Sequence, residues 1–242
     1  MKSSLIKLEN FLNEHRWDET NNNEHTHLSY GKIKGKFIFD KIQRKEFMNL
    51  YCKAIKNGNQ LSILEKQKEF GPLVIDIDLK VNGSENERLY NDNMIMDVIK
   101  LYTNELNNYI NFSENEKTID YEYFIFEKNK PTHKEGIIKD GFHIMVPNLC
   151  LSFNDKFYLR DKVVKKASEN NLFNNFLETT DKIIDKAIIK SNGWFLYGST
   201  KPERLDVPYK LTKIYRYSYV YSCNQILVYP DFLSWRIGLL KW

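Results

Sequence analysis

The segment GPLVIDIDLK, residues 71–80, constrains the fold more than any other part of the sequence. Apolar residues occupy every odd position from 73 to 79, while Asp76 and Asp78 occupy two of the even positions. Side chains two residues apart on a β-strand point to the same face. The pattern therefore predicts a strand with one apolar face and two adjacent carboxylates on the other. Strand and helix patterns surround it, so we expect a mixed sheet with helices.

The carboxylates of Asp76 and Asp78 suggest a metal site. Two carboxylates side by side on a half-buried strand repel each other and raise each other's pKa unless a cation neutralises them. Oxygen ligands suit Mg²⁺ or Mn²⁺. A D-x-D pattern alone is common and also fits a strand with one solvated face. The strongly apolar flanking residues favour the metal interpretation.

A second predicted strand, KDGFHIMVP, carries three unusual residues at alternate positions: Lys139, Gly141 and His143. We expect His143 on the face opposite to the apolar residues at 142, 144 and 146. A histidine there can donate a hydrogen bond to a phosphate oxygen, and Gly141 allows a ligand or another backbone to approach closely. A core histidine with satisfied hydrogen bonds is the alternative interpretation.

A third segment combines a late acid with a polar turn. Asp185 is predicted near the end of a helical region covering residues 154–190. The strand pattern WFLYGS and the turn with Ser199 and Lys201 follow it. Backbone N–H groups, a hydroxyl and an ammonium in such a turn can hold phosphates, although this is not a Walker P-loop. A surface acid and a plain loop are the alternatives.

Composition limits the classes of protein. The 242 residues suit one large α+β domain or two small ones. The net charge of +4 permits nucleic-acid binding without requiring it. Cys52, Cys150 and Cys223 form no C-x-x-C pair, so we expect neither a zinc knuckle nor a disulfide framework, and we expect an intracellular protein. No apolar run suits a membrane span, so no membrane partner is expected.

The order and spacing of the three segments resemble the archaeo-eukaryotic primase superfamily. That family has an hhhDhD strand, an s-x-H strand, and a late acid before a basic segment. GPLVIDIDLK, KDGFHIMVPN and FLYGSTK resemble in particular the N-terminal primase domains of primase-helicases of nucleocytoplasmic large DNA viruses. The resemblance covers residues 61 to 221.

The resemblance implies an α+β archaeo-eukaryotic primase fold, with a mixed or antiparallel central sheet, an RRM-like catalytic half and flanking helices. We expect residues 1–60 to form an N-terminal helical segment packed on the core. Residues 61–242 would then form the catalytic domain of one compact unit, itself a fragment of a longer primase-helicase.

Functional residues follow from the resemblance position by position. Asp76 and Asp78 match the first two metal ligands and Asp185 the third, with Asp181 as a rival for that third position. The residues that match the nucleotide-binding positions are Lys139, His143, Ser199 and Lys201.

One departure concerns an arginine that many relatives carry between the late acid and the S-x-K turn. This sequence has NGWFLYG there, so Arg204 or Lys210 are the substitutes. Arg204, Lys210 and Arg216 are also the expected nucleic-acid contacts, because here basic residues interleave with aromatic ones that can stack on bases. The alternating tyrosines at 215–221 fit a half-packed strand equally well.

The implied activity is that of a DNA primase-polymerase that uses two Mg²⁺ or Mn²⁺ ions to join nucleotides on a template. Its partners would be single-stranded DNA, NTP or dNTP, and a helicase in the same chain or a separate one. If the protein is viral, we expect it in the host-cell cytoplasm or a replication compartment.

Three alternatives remain open from the residues. A glycosyltransferase also binds a metal through D-x-D, but it does not predict the G-x-H strand or the YGS-x-K turn. A replication-initiator nickase would use His25, His27 and a tyrosine, although this histidine pair lies in a sequence that predicts a polar loop. A catalytically inactive DNA-binding replication module is the third.

Overall fold

The computed structural model describes residues 2–20, 23–84, 87–110, 118–202 and 207–220. Its helices, in chain order, are α1 (Lys2–Glu14), α2 (Lys41–Lys56), α3 (Asp92–Tyr109), α4 (Phe153–Glu169), α5 (Thr180–Ile183) and α6 (Ala187–Lys190). Its strands are β1 (His27–Ser29), β2 (Gly35–Phe37), β3 (Ile63–Glu65), β4 (Gly71–Asn82), β5 (Thr118–Glu127), β6 (Thr132–Lys134), β7 (Ile137–Leu151), β8 (Trp194–Phe195) and β9 (Lys210–Val220).

The larger of two sheets has the strand order β4-β7-β5-β9, and β6 pairs with β7. Each of these pairings is antiparallel. Helices α3 and α4 cover one face of this sheet, and their buried apolar side chains form the main core with those of β4, β5 and β7. The expected α+β class with a central antiparallel sheet is confirmed.

Strand β4 follows the predicted alternation. Its residues at 73, 75, 77 and 79 are at most 1% exposed and belong to the main core. Asp76 is half-buried and Asp78 exposed on the opposite face. The period-two pattern therefore fixes which face of the sheet carries the acids.

Helix α2 begins where its sequence predicts. Asp40 is the N-cap: its carboxylate accepts hydrogen bonds from the N–H groups of Ile42 and Gln43, and the Gln43 side chain accepts one from the Asp40 N–H. This reciprocal pair satisfies N–H groups that the first helical turn leaves without partners. Phe47 and Tyr51, one turn apart, are buried on the inner face.

The smaller sheet has the order β2-β1-β3-β8 and is antiparallel. The N-terminal segment was expected to be helical, but it also contains β1 and β2. In addition, β3 and β8 come from beyond residue 60, so the expected boundary at 60/61 divides this sheet. Strands of two or three residues are too short for a period-two pattern to reveal them. An aromatic cluster fills the core beside the sheet: Phe11, Phe37, Phe39, Phe47 and Tyr51.

The acid-bearing face of the larger sheet is partly covered by the segment after α4. The predicted helical region 154–190 breaks after Glu169, and the short helices α5 and α6 follow. Buried Val74 packs there with Trp194 and residues of α6. The strand predicted at 194–199 is reduced to β8, and the predicted closing helix DFLSWRIGLL lies outside the described residues.

In the part of the chain that the structure describes, none of the helices has the length and apolarity that crossing a membrane requires.

Candidate active site

The first two predicted motifs lie side by side on adjacent strands. In the pairing of β4 with β7, Asp76 is opposite His143, Asp78 is opposite Gly141, and Lys80 is opposite Lys139. Because alternate residues share a face, the acids, His143 and Lys139 lie on the same side of the sheet.

Gly141 allows these strands to approach each other. Its φ is +154°, and a Cβ at this position would lie 2.0 Å from the carbonyl oxygen of Ile77. A side chain there would collide with the backbone of β4 beside Asp78. Of the two roles expected for this glycine, the structure favours the approach of another backbone.

The carboxylate of Asp76 contacts the imidazole of His143. Asp76 Oδ1 lies 3.2 Å from His143 Nε2, and both side chains are largely buried. Apart from this ion-pair contact, the buried oxygen has no hydrogen-bond partner among the described residues. Burial favours the neutral carboxyl, but the His143 imidazole, assisted by Lys201 and Lys128, holds the pKa of Asp76 below its ordinary value.

Asp78 has the opposite electrostatic character. Loss of solvent around the Asp78 carboxylate and the negative charge of Asp76 raise the pKa of Asp78. The positive charges of Lys128 and Lys201 act against this increase. A divalent cation would neutralise both carboxylates, and the unpartnered oxygen of Asp76 is a suitable ligand for one. The pair therefore fits Mg²⁺ or Mn²⁺. In the described ranges no group of three or more potential ligand residues is already gathered around one point.

Asp185, the predicted third acid, lies in the bend between α5 and α6 and not near the end of a long helix. Its N–H donates a hydrogen bond to the carbonyl oxygen of Asp76 at 3.0 Å, which ties this bend to β4. Its carboxylate accepts a hydrogen bond from the Ala187 N–H at 2.9 Å and lies 3.5 Å from Asn192 Nδ2. Its backbone is thus beside the acid pair, while its carboxylate contacts α6.

The rival acid, Asp181, has a different environment. Its carboxylate is 2.6 Å from Nη1 of Arg160. This hydrogen bond holds the pKa of Asp181 below its ordinary value, although slight burial acts to raise it. The side chain of Asp181 is paired with α4, which argues against a ligand role.

The YGS-x-K turn divides into two parts. Ser199 is fully buried, its hydroxyl pairs with that of Tyr51 at 2.9 Å, and it accepts a hydrogen bond from the Ile63 N–H. These contacts attach the turn to the smaller sheet and do not involve the acids. Lys201 is exposed, and its charge acts on both Asp76 and Asp78.

Two aromatic rings beside His143 were not predicted. Tyr209 stacks on the imidazole with a centroid separation of 3.7 Å, and Trp194 is 5.0 Å from it at a tilt of 50°. These contacts restrict the orientation of the imidazole. Trp194 belongs to a predicted strand, but no sequence pattern indicates that either ring meets His143, because the contacts join distant segments.

Lys128 is a further residue that the sequence did not single out. It directly follows β5, and its charge acts on Asp76 and Asp78. Lys128 is two residues after Phe126 in the segment YEYFIFEK, so alternation along a strand would place both side chains on the same face of the sheet. The register that places it beside the acids is a tertiary feature and is not visible in one sequence.

The expected nucleic-acid contacts are distributed over β9 and the segment before it. Arg216 is exposed and pairs with Glu122 on β5 at 2.6 Å. Lys210 is exposed at the start of β9. Arg204 lies outside the described residues.

The tyrosines of β9 lie on the other face where they are described. Tyr215 and Tyr217 pack against the main core beside α3, which favours the half-packed interpretation over base stacking for these two. The side chains of Tyr219 and Tyr221 lie outside the described residues.

The histidine pair considered for a nickase is not an exposed loop site. His27 was expected in a polar loop, but it lies on β1, is 1% exposed and packs between Phe39 and Phe47. His25 stacks edge-on against Trp17. A three-residue strand that begins within a polar stretch gives no periodic pattern, which is why the sequence predicted a loop.

Comparison with known proteins identifies the family. The family described as "C962R protein N-terminal AEP domain" matches residues 26–215 of this chain. The chain belongs to the archaeo-eukaryotic primase (AEP) family. The matched region of the AEP domain contains the acid pair, His143, Asp185 and Lys201, and extends on the N-terminal side beyond the part that carried the sequence resemblance.

Relatives of the AEP domain occur in large DNA viruses. "Putative helicase 184R" of Invertebrate iridescent virus 6 is 36% identical over 210 residues, which cover 80% of this chain and 22% of that protein. "Putative helicase L207/L206" of Acanthamoeba polyphaga mimivirus is 31% identical over 180 residues, covering 74% and 18%. The AEP domain thus spans about a fifth of the length of these relatives.

Proposed function

We propose that this AEP domain is a DNA primase-polymerase that synthesises primers on single-stranded DNA by metal-dependent nucleotidyl transfer. One observation carries the proposal: Asp76 and Asp78 lie on one face of β4, opposite His143 and Gly141, and a buried oxygen of Asp76 has no hydrogen-bond partner among the described residues. Such a site offers oxygen ligands to cations beside a group that can bind phosphate.

Asp76 and Asp78 are the residues that would hold Mg²⁺ or Mn²⁺, and Asp185 would complete the ligand set. When bound, the cations would lower the pKa of a primer 3′-hydroxyl and stabilise the departing pyrophosphate. The hydrogen bond from the Asp185 N–H to Asp76 keeps the third acid next to the pair.

The other residues of the site would bind and orient the nucleotide. His143, held between Tyr209 and Trp194, would donate a hydrogen bond to a phosphate oxygen, and Lys139 and Lys201 would neutralise phosphate charge. The 3′-hydroxyl would lose its proton to water, and its oxygen would bond to the α-phosphorus. The bond between the α-phosphorus and the oxygen that bridges to the β-phosphorus would break, so that pyrophosphate leaves. No covalent bond to the protein forms, so we assign no cysteine or serine nucleophile.

Template binding would use phosphate contacts from Arg216 on β9 together with Arg204, and Lys210, which is opposite Glu127 on the other face, would contribute at the edge of the site. Arg216 is opposite Glu122 on β5, and Phe126 on the same strand is opposite His143. Glu122 and Phe126 are an even number of residues apart, so Arg216 lies on the acid-bearing face with His143. Phosphate contacts release counterions, so affinity for DNA should fall as salt rises.

The wider context follows from the relatives. Because the relatives are named helicases and are much longer than this chain, we propose that the domain works with a helicase, in the same polypeptide or as a separate protein. Since the relatives are encoded by large DNA viruses, we expect it to act inside the infected cell.

The direct test is a priming assay. The protein is incubated with single-stranded DNA, labelled NTPs or dNTPs, and Mg²⁺ or Mn²⁺, and the products are separated by length. Wild type should make oligonucleotides, and the Asp76→Asn, Asp78→Asn double variant should make none. Asp97→Asn, which removes an exposed carboxylate on α3, is the matched control and should resemble wild type.

Three outcomes would contradict the proposal. An equally active double variant would show that the acids are not the site. Turnover of nucleotide-sugars without nucleotide incorporation would favour a glycosyltransferase. DNA binding that does not depend on the acids, with no incorporation under any condition, would favour an inactive binding module.

A further inference from the structure

Strand β5 directs a lysine toward the acid-bearing face. Phe126 is opposite His143 and Glu127 is opposite Phe142, so the next residue, Lys128, follows level with Gly141. Side-chain alternation places Lys128 on the same side as Phe126 and His143. Its Nζ lies 5.1 Å from the centroid of the Tyr209 ring, which itself stacks on His143. The ammonium group therefore reaches over the site and not toward the main core.

The row of residues across the sheet at this level is Asp78, Gly141 and Lys128. Gly141, which is opposite Asp78, contributes no side chain to this row.

The ammonium of Lys128 lies over the Tyr209 ring, but it has no ionic or hydrogen-bond partner among the described residues. Among the described residues no hydrogen-bond acceptor and no carboxylate oxygen at ion-pair distance contacts its Nζ, and the residue is half-buried. Asp78, Asp140 and Asp76 attract its charge, and the charge of Lys201 repels it. The ammonium is partly removed from water, and an aromatic ring compensates this loss less than an anion does. An anion placed between the two lysines and the acid-bound cations would relieve this.

We propose that Lys128 is a phosphate-contacting residue of the nucleotide site. It would bind the triphosphate from the end of β5, while Lys201 would bind it from the turn after β8. This rests on the proposed function, because the triphosphate reaches the site with the cations that Asp76 and Asp78 would hold. The covalent step is unchanged: Lys128 neutralises charge on the triphosphate and on the departing pyrophosphate. A template phosphate is the competing ligand, and the experiment separates the two.

Three variants test the charge separately from the shape. Lys128→Met keeps the length of the side chain without its charge, and Lys128→Arg keeps the charge. Lys134→Met removes a charge from the exposed end of β6 and is the matched control. Thermal unfolding of each variant would reveal a structural role for Lys128, which would lower the stability of Lys128→Met without a specific effect on nucleotide.

Three quantities are measured: the KM for nucleotide at saturating primed DNA, the Kd for triphosphate with Mg²⁺ in the absence of DNA, and the Kd for single-stranded DNA. The first two report on nucleotide binding. We expect Lys128→Met to raise both about tenfold or more, and Lys128→Arg to stay within about threefold of wild type, because one charge-assisted phosphate contact is lost or kept. The Kd for single-stranded DNA should stay within about twofold in every variant, and Lys134→Met should match wild type.

Distinct results would overturn the two proposals. If wild type incorporates nucleotide and Lys128→Met has an unchanged KM and Kd, the assignment of Lys128 is wrong while the proposed function stands. If Lys128→Met weakens DNA binding instead, Lys128 contacts the template. A wild type that neither binds triphosphate nor incorporates nucleotide would overturn both.

Discussion

Arg160 donates two hydrogen bonds to the carbonyl oxygen of Ile184, from Nε at 3.0 Å and from Nη2 at 2.6 Å. Ile184 directly precedes Asp185, whose N–H is bonded to Asp76. The guanidinium also binds the carbonyl oxygen and the carboxylate of Asp181. A nearly buried arginine on α4 thus fixes the bend that carries the candidate third acid, and it uses Asp181 as an anchor.

This relationship separates the two candidates for the third acid. Asp181→Asn should keep primer synthesis within about threefold of wild type and lower the free energy of unfolding by about 1 kcal/mol or less, since its carboxylate is mostly exposed and a surface ion pair contributes little. Asp185→Asn should lower activity by about a hundredfold or more, because it removes a proposed cation ligand. Primer synthesis across a Mn²⁺ titration measures the activities of both variants, and urea unfolding measures the stability of Asp181→Asn. An inactive Asp181→Asn beside an active Asp185→Asn would reverse the assignment.

Gly141 gives a prediction about stability. An alanine Cβ would lie 2.0 Å from the Ile77 carbonyl oxygen, so the central strands must separate, and we expect Gly141→Ala to cost about 3 kcal/mol or more. Gly136→Ala is the control: its φ is +77° but no atom lies within 4 Å of the added Cβ, so only backbone strain of about 1–2 kcal/mol remains. Denaturant unfolding of both variants gives the two values. Equal losses would mean that the close approach of β7 to β4 is not what requires this glycine.

The sequence predicted the parts of the site that depend on alternation along one strand. The faces of Asp76, Asp78 and His143 follow from period-two patterns, because strongly apolar flanks allow only one side of each strand to be buried. The start of helix α2 is likewise local, because Asp40 and Gln43 form a capping pair three residues apart. These features are encoded within about a dozen neighbouring residues.

The features that were not predicted depend on contacts between distant segments. Tyr209 stacks on His143, and Lys128 lies over Tyr209. These contacts depend on the register of β5 on β7 and on the path of the chain before β9, which no local pattern specifies. Asp185 was expected near a helix end, but the tertiary hydrogen bonds from Arg160 shape its bend. Ser199 has the residue type of a phosphate ligand, yet its hydroxyl pairs with Tyr51, a contact across most of the chain.

His27 predicts a specific loss of stability in acid. Its ring is buried against Phe39 and Phe47, with Nδ1 2.9 Å from the Thr26 hydroxyl, and burial, assisted by the charges of Arg44 and Lys68, lowers its pKa to about 3. In the unfolded chain the pKa is about 6.5. Between these values the unfolded state binds a proton that the folded state does not, so this contribution is complete above pH 6.5 and is lost as the pH falls.

The expected size can be measured against a variant without the imidazole. From pH 7.5 to pH 5 the His27 contribution should fall by about 2 kcal/mol, at about 1.4 kcal/mol per pH unit below 6.5. His27→Phe suits the aromatic surroundings and removes the titration. Urea unfolding at both pH values should show that wild type loses about 2 kcal/mol more than His27→Phe, while all other titrating groups are common to the two proteins. Identical pH dependence would mean that the buried imidazole accepts a proton in the folded protein, which the apolar packing around β1 argues against.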